Sequence, residues 1–302
     1  MQQELEPITP ERAKEMYLDA RKHEVSQSTL DGYHYRLKHF LRWCDEKGID
    51  NMNDLTGRNL QEFRTWRRDD GDLKPVTLEG NLDALRVFIR WCESYNAVPE
   101  GLHDKIIMPT LSKEDEQSES ILTAEEAEPI LEYLRRFEYA SRGHVILELL
   151  WHTGMRLGAL QALDRDDYDD EKEVLTVQHR PEQGTPLKNG DEGERHVVLN
   201  GDVCSVLDAY IEHNRYDVTD EEEREPLLTT SQGRMVGSSI RDAVYEITRP
   251  CHYAGDCPKG RDMEECEGTH YDGFSKCPLN VSPHAIRRGS ITNHLSKDVP
   301  EK

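Results

Sequence analysis

The sequence predicts a mainly α-helical protein with one small antiparallel β-hairpin or sheet, an α+β fold in two parts, and three observations lead there. In two segments, Leu30–Leu41 and Leu78–Trp91, the apolar residues fall mostly at three- and four-residue steps, the spacing that lines one face of a helix. The clearest β-rich runs are "VLTVQH" and "HVVLN", which flank a polar turn containing Gly190 and Gly193. Pro99, Gly101 and Pro109 lead into "SKEDEQSES", a stretch with the composition of an exposed linker.

Taken in order, the first helix starts in "TPERAKEMYLDARKHE", where Thr9 suits the N-cap and Pro10 the first helical position. Two later segments echo each other in fixed register at an offset of 48: "TLDGYHYRLKHFLRWC" from Thr29 and "TLEGNLDALRVFIRWC" from Thr77. Two helices facing one core with similar side chains account for the echo; a solenoid needs further copies. "TGRNLQEFRTWRRDDG" supplies a helix between them, stopped near Gly71. These helices make one helical domain over residues 1–110, followed by a linker over 111–120 and a second domain over 121–302. The second domain opens at "LTAEEAEPILEYLRRF", where Thr123 and Glu126 have the spacing of a capping box. Helices follow at "RGHVILELLWHTG" and "MRLGALQAL", then the two β-runs, then helices at "DVCSVLDAYIEHNRY" and "SSIRDAVYEITR". A cysteine-rich insert over 250–278 precedes a last helix at "SPHAIRRG".

No window approaches the roughly 18 consecutive apolar residues of a membrane helix, and "MQQELEPITP" lacks a signal peptide's basic start and apolar run. A soluble, cytoplasmic protein without a membrane partner is the expectation. Seven cysteines, an odd number, fit a reducing compartment better than a secreted disulfide framework. The 60 acidic against 38 basic residues give a net charge of -22, and 25 of the 38 are arginine. Such an acidic, lysine-poor composition suits a halophile's concentrated intracellular salt. Net charge governs solubility and long-range attraction, so it does not exclude nucleic acid at a local patch. Concentrated salt shrinks the counterion-release gain, so geometry and groove contacts must carry more of any DNA affinity.

Four residues of the second domain suit a single charge problem. "HTGMRLGALQALDRDDYD" places Arg156 just after a glycine and at the mouth of a helix. "TPLKNGDEGERHVVL" puts Lys188 on the turn between two strands, and "SPHAIRRG" sets His284 and Arg287 one helical turn apart. A phosphodiester under attack gathers negative charge on its non-bridging oxygens. Guanidinium forks match those oxygens and stay charged at any working pH, so they can stabilise that species without a metal. A lysine can protonate the leaving oxygen, and a histidine can donate to the phosphate or help move a proton.

In this order and spacing the residues resemble the tyrosine recombinase (phage integrase, Xer-type) family. Thr153, Gly154, Arg156 and Leu163 match its T-G-x-R signature, Lys188 its hairpin lysine, and His284 with Arg287 its H-x-x-R. The resemblance extends to the helical first domain, which is similar to the family's core-binding, SAM-like domain. It implies a site-specific DNA recombinase or integrase that clamps duplex DNA between two domains. It further implies a 3'-phosphotyrosyl intermediate, strand exchange in a homotetramer, and no ATP or catalytic metal. In the implied roles Arg156 and Arg287 hold the phosphate, Lys188 is general acid at the leaving oxygen, and His284 supports both. Two departures stand out. The acid usual three residues after the first arginine is Ala159 here, leaving Asp164 or Asp166 as substitutes. No tyrosine follows His284 in the 302 residues, so the expectation is a chain truncated before the nucleophile. The rival readings are an inactive DNA-binding relative, a zinc-dependent DNA-binding regulator, and a type IB topoisomerase.

Cys251, Cys257, Cys266 and Cys277 lie in a Gly- and Asp-rich segment with few apolar residues, at spacings of 5, 8 and 10 intervening residues. A structural zinc on these four would supply the missing ordering energy; free thiols or a disulfide pair are the alternatives. Arg58, Arg64, Arg67 and Arg68 stand out against the acidic first domain as DNA contacts, or equally as a solvated helix face. Arg288, beside Arg287, is assigned a phosphate or surface contact.

Overall fold

The structure is a computed structural model that describes residues 4–112 and 120–297. The predicted linker falls largely on residues 113–119, outside the described residues. The chain divides into two compact units, residues 1–119 and 120–302. As the sequence predicts, the fold is mainly helical with a small antiparallel sheet.

In the first unit, α1 (Pro10–Arg21) starts where Thr9 Oγ1 accepts from the Arg12 amide, with Pro10 at the first position. The two echoing segments form α2 (Gln27–Lys47) and α4 (Pro75–Glu93), and α3 (Gly57–Asp70) lies between them in sequence. The echo has a common cause. Both helices turn their apolar residues, down to Cys44 and Cys92, into one core. Tyr17 of α1 is fully buried there, its ring edge-on to Tyr33, Phe88 and Trp91 at 5.4–5.5 Å.

In the second unit, α5 (Ala124–Phe137) begins with the predicted capping box, Thr123 and Glu126 each satisfying the other's backbone N–H. It packs on α6 (Arg142–Thr153), which is buried from His144 through Leu150 and forms the centre of the unit. After α7 (Leu157–Ala162) come β1 (Tyr168–Asp169), β2 (Val174–Val177) and β3 (Arg195–Val198), an antiparallel sheet in that order. Leu175 and Val177 of β2 point into the core and alternate with half-buried residues. Helix α8 (Gly201–Ala209) runs on as a wider π-turn over Tyr210–Asn214. The short pair β4 (Thr229–Thr230) and β5 (Gly233–Arg234) leads to α9 (Gly237–Ile247) and α10 (Pro250–Tyr253). The insert follows without further α-helix or strand until α11 (Pro283–Ser296). No helix among the described residues is long and apolar enough to cross a membrane.

A buried ion network ties the segments that follow α7, β2 and α8 to β5. Asp164, just after α7, takes ion pairs from Arg234, Arg224 (3.2 Å) and Arg180 (3.3 Å). Asp220 holds Arg234 and Arg224 from the other side at 2.7 and 3.1 Å, and Asp167 holds Arg180 at 2.5 Å. Three arginines thus meet three aspartates, so the network is charge-balanced, with Arg224 Nε left buried without a hydrogen-bond partner. It fixes the exit of α7 against the root of the β2–β3 hairpin.

Candidate functional site

The T-G-x-R stretch is explained by where α6 must stop. Thr153 Oγ1 donates to the Leu149 carbonyl at 2.6 Å and accepts from the Met155 amide at 3.2 Å. Gly154 then turns left-handed at φ 57°, and a Cβ there would crowd Ser290 Oγ at 3.2 Å. Met155 is fully buried and pins the turn to the core. Arg156, the next residue, is thereby presented at the N-cap of α7 with its side chain exposed.

Helix α11 docks on that same turn. Ser282 caps it by accepting from the Ala285 amide, and Pro283 takes the first position. Along one face Arg287 Nη1 donates to the Gly154 carbonyl, Ser290 Oγ donates to the Trp151 carbonyl at 2.6 Å, and His294 Nε2 meets the His152 carbonyl at 2.9 Å. A helix leaves its last carbonyls unpaired and carries partial negative charge at that end. Arg287 and its neighbours on α11 supply the missing donors. The close approach also needs Gly289, because a Cβ there would overlap the Leu122 carbonyl.

These contacts bring positive charge together. Arg287 is held below the usual arginine range first by loss of hydration, then by Arg156 and Arg195. Arg195 is lowered likewise, by loss of hydration and then by Arg156. Three guanidinium groups from α7, β3 and α11 therefore share one neighbourhood. Among the described residues none of the three is ion-paired: Arg287 bonds the Gly154 carbonyl, Arg195 bonds the Gly193 carbonyl at 2.9 Å, and the Arg156 side chain has no hydrogen bond. In a chain with 60 acidic residues, that is a site prepared for an anion. Arg195 was not singled out from sequence, because an arginine at an exposed strand start reads as solvated.

The other expected residues are placed less closely. Lys188 is exposed on the connection between β2 and β3, on the same hairpin as Arg195, beside the anchored Leu187. His284 is exposed in the first turn of α11, one turn before Arg287. Arg288 is half-buried on α11. Ala159 is buried in α7, and Asp164 is not free to replace the expected acid, because Arg180, Arg224 and Arg234 engage it. Asp166 is exposed in the turn Arg165–Asp167.

In the first unit, Arg67 departs from its expected place on an outer face. It is 7% exposed, bonded to Asn81 Oδ1 at 3.3 Å and paired with Asp70 at 3.3 Å. It falls on the same stripe as Leu60 and Phe63, which takes it into the packing of α3 on α4. Arg68 is exposed and paired with Asp69, Arg64 is half-buried, and Arg58 is exposed beside the groove lined by Gln61, Thr65 and Trp66. The more positive surface is on α2. Residues 32–44, "GYHYRLKHFLRWC", hold no acid, and His34, Tyr35, Arg36 and Lys38 are exposed. Among the described residues neither Arg36 nor Lys38 is ion-paired, although Lys38 lies over the Tyr35 ring at 5.7 Å.

All four insert cysteines line one small cavity, together with Arg249, Met263, Thr269 and Leu279. They are free thiols, as are the buried Cys44, Cys92 and Cys204. Burial is the main cause that pushes the Cys251 thiol up, with Cys277 and Cys257 among the neighbours that add to it.

Comparison with known proteins bears on both units. Residues 16–95 match the family described as "Phage integrase, N-terminal SAM-like domain", and residues 120–254 match "Phage integrase family". The second match includes Arg156, Lys188 and Arg195 and ends before His284 and Arg287. Tyrosine recombinase XerC of Xanthomonas campestris pv. campestris (strain B100) is 27% identical over 154 residues, 51% of this chain and 47% of that protein. The chain thus spans about half the length of that relative. Tyrosine recombinase XerC of Bacillus pumilus is 25% identical over 286 residues, 93% of this chain and 81% of that protein. The solved lambda integrase(75-356) dimer bound to a COC' core site is alike in fold, with a TM-score of 0.65 over 96% of this chain and 91% of that one at 14% identity. With each unit matched by a family of the same lineage, the chain belongs to the tyrosine-recombinase and phage-integrase superfamily and is Xer-like.

Proposed function

We propose that the chain is a site-specific DNA recombinase or integrase that binds duplex DNA and cradles one phosphodiester between Arg156, Arg195 and Arg287. The observation that carries this reading is the gathering of three guanidinium groups without a carboxylate partner. Their mutual repulsion and lost hydration are relieved when an anion with several acceptor oxygens enters, and a phosphodiester fits fork-shaped donors. Arg156 and Arg287 grip the non-bridging oxygens, and Arg195 adds charge from the hairpin side. Lys188, on the connection between the strands of that hairpin, protonates the leaving oxygen, and His284 donates to the phosphate and helps move the proton. Arg288 contacts neighbouring backbone. In the complete reaction a tyrosine attacks and the bond energy is kept in a 3'-phosphotyrosyl ester, with strands exchanged between four copies on paired sites. No tyrosine follows His284 in the 302 residues, so no residue here is assigned that role.

The first unit serves as the core-binding domain, with α2 as its main DNA-facing element and Arg58, Arg64 and Arg68 at its flank. Its exposed tyrosine and unpaired cations suit backbone contacts. Repeated selection from a randomised duplex pool tests the reading. Enrichment of a preferred sequence is expected, and Arg287→Ala should bind the selected duplex about tenfold or more weakly; no enrichment, or an affinity indifferent to that change, overturns it. On the selected duplex, Arg36→Ala and Lys38→Ala are each expected to reduce the slope of log affinity against log salt by about 0.9, one phosphate contact apiece. Unchanged slopes would remove α2 from the interface.

A further inference from the structure

The cysteine-rich insert lies outside the phosphate site, and its fold lacks an evident source of order. Between Pro250 and Val281 the largest buried side chain is Phe274, with Arg249 over its ring at 4.9 Å and its Nη1 on the Gly268 carbonyl. Most hydrogen bonds inside the insert, such as Thr269 Oγ1 to the Cys266 carbonyl at 2.7 Å, close short turns, and the longer links run from Arg249 and Thr248 at its base. Yet the chain is compact there. Gly268 packs against the Cys277 backbone, where a Cβ would sit 3.1 Å from its nitrogen, and Gly273 lies directly against the Glu267 carbonyl.

Burial along the insert has a pattern. Residues 254–256 and 258–265 are all exposed, whereas Cys257 between them is half-buried. Cys266 is drawn inward between exposed Glu265 and Glu267, and Cys277 between exposed Lys276 and Pro278. With Cys251 on α10, four separated segments each place a cysteine on the wall of the same cavity. The nearby histidines are not part of that set: His252 pairs with Glu138 at 3.0 Å and stacks edge-on to Tyr133, and His270 is exposed. Among the described residues no three His, Cys, Asp or Glu side chains are already closed around a point that a metal could fill. Closure therefore has to come from turning the thiols inward about their side-chain bonds.

We propose that Cys251, Cys257, Cys266 and Cys277 form a tetrathiolate site for a divalent soft-to-borderline cation, zinc being the fit, that holds the insert together. Four thiolates at one centre give the closed tetrahedral set of a structural site, with no position left open for chemistry. Binding releases the thiol protons as the ligands ionise, and the folding of the insert becomes linked to the metal. The site joins the end of α9 to the start of α11, since Val281 N donates to Thr248 Oγ1 at 3.0 Å and Pro283 opens the helix bearing His284 and Arg287. The assignment is independent of any DNA chemistry.

The test uses the full chain, reduced and stripped with chelator, then titrated with zinc and with cobalt. Saturation at one equivalent per chain is expected, with the intense visible bands of tetrahedral cobalt thiolate. Mercurial modification of the zinc-loaded chain should release that one zinc. Cys266→Ser should lower the retained metal below half an equivalent, and His270→Ala should leave it at one. Because the mercurial release uses the unaltered chain, misfolding of a variant does not blur the result. No stoichiometric metal, octahedral cobalt bands, or two disulfides leaving three of seven thiols titratable in denaturant would each overturn the proposal.

Discussion

Arg156→Ala is expected to weaken binding of the selected duplex by about 10- to 150-fold, the loss of one charge-assisted phosphate contact worth ~1.5–3 kcal/mol. Its thermal midpoint should stay level or rise. The Arg156 side chain makes no cap hydrogen bond, and its charge opposes Arg287 and Arg195, so removing it relieves repulsion without breaking a contact. Arg287→Ala should behave differently. It loses the phosphate contact and also the donor that closes the Gly154 carbonyl, so affinity and stability fall together. Fluorescence anisotropy and calorimetry on the two variants separate these outcomes. A fall in the Arg156→Ala midpoint would make Arg156 a structural residue and take away the argument for a ligand.

Asp164→Ala is expected to cost about 3–5 kcal/mol of stability, because three buried arginines are then left with only the carboxylates of Asp220 and Asp167 and one positive charge is uncompensated. Arg234, Arg224 and Arg180 all point at this carboxylate, and none of them has solvent access enough to compensate. Thermal or urea unfolding measures the loss. A cost under about 1 kcal/mol, the level of an exposed ion pair, would contradict the network's place in the fold. The same network sets an acid limit. Burial alone would raise Asp220, but the hydrogen bond from Arg234, the Arg224 amide and both arginine charges outweigh it and hold it below its ordinary 3.8. Glu148 is lowered in the same way, burial being outweighed by His144 and Arg135. Depressed carboxylates add stability that is fully present above their unfolded values and is lost as pH falls through the folded ones. The second unit should therefore hold its stability down to about the ordinary carboxylate range and lose it below.

Much of this was legible in sequence because local chemistry and tertiary role agree. Thr9, Thr123 and Glu126 cap where their types and spacing say they should, and the echoing helices share a core because their apolar residues share a pattern. T-G-x-R is readable because each letter answers one local need: an end cap, a left-handed turn, an anchor and a presented charge. Strands of two residues, such as β1 and β4, are too short to show a period. Arg67 could have been placed correctly from its stripe, since it follows Leu60 and Phe63 at seven and four residues. Arg195 was hidden for another reason. Its neighbours in space, Arg156 and Arg287, are remote in sequence, and only the fold sets them together.

The most direct test of the phosphate cradle is a double-mutant cycle between protein and DNA. Each phosphate of the selected duplex is replaced in turn by a neutral methylphosphonate, and affinity is measured for the unaltered chain, Arg156→Ala and Arg287→Ala. One position is expected at which neutralisation weakens the unaltered chain about tenfold or more and has little further effect in either variant. If every position costs the variants as much as it costs the unaltered chain, Arg156 and Arg287 do not hold a phosphate.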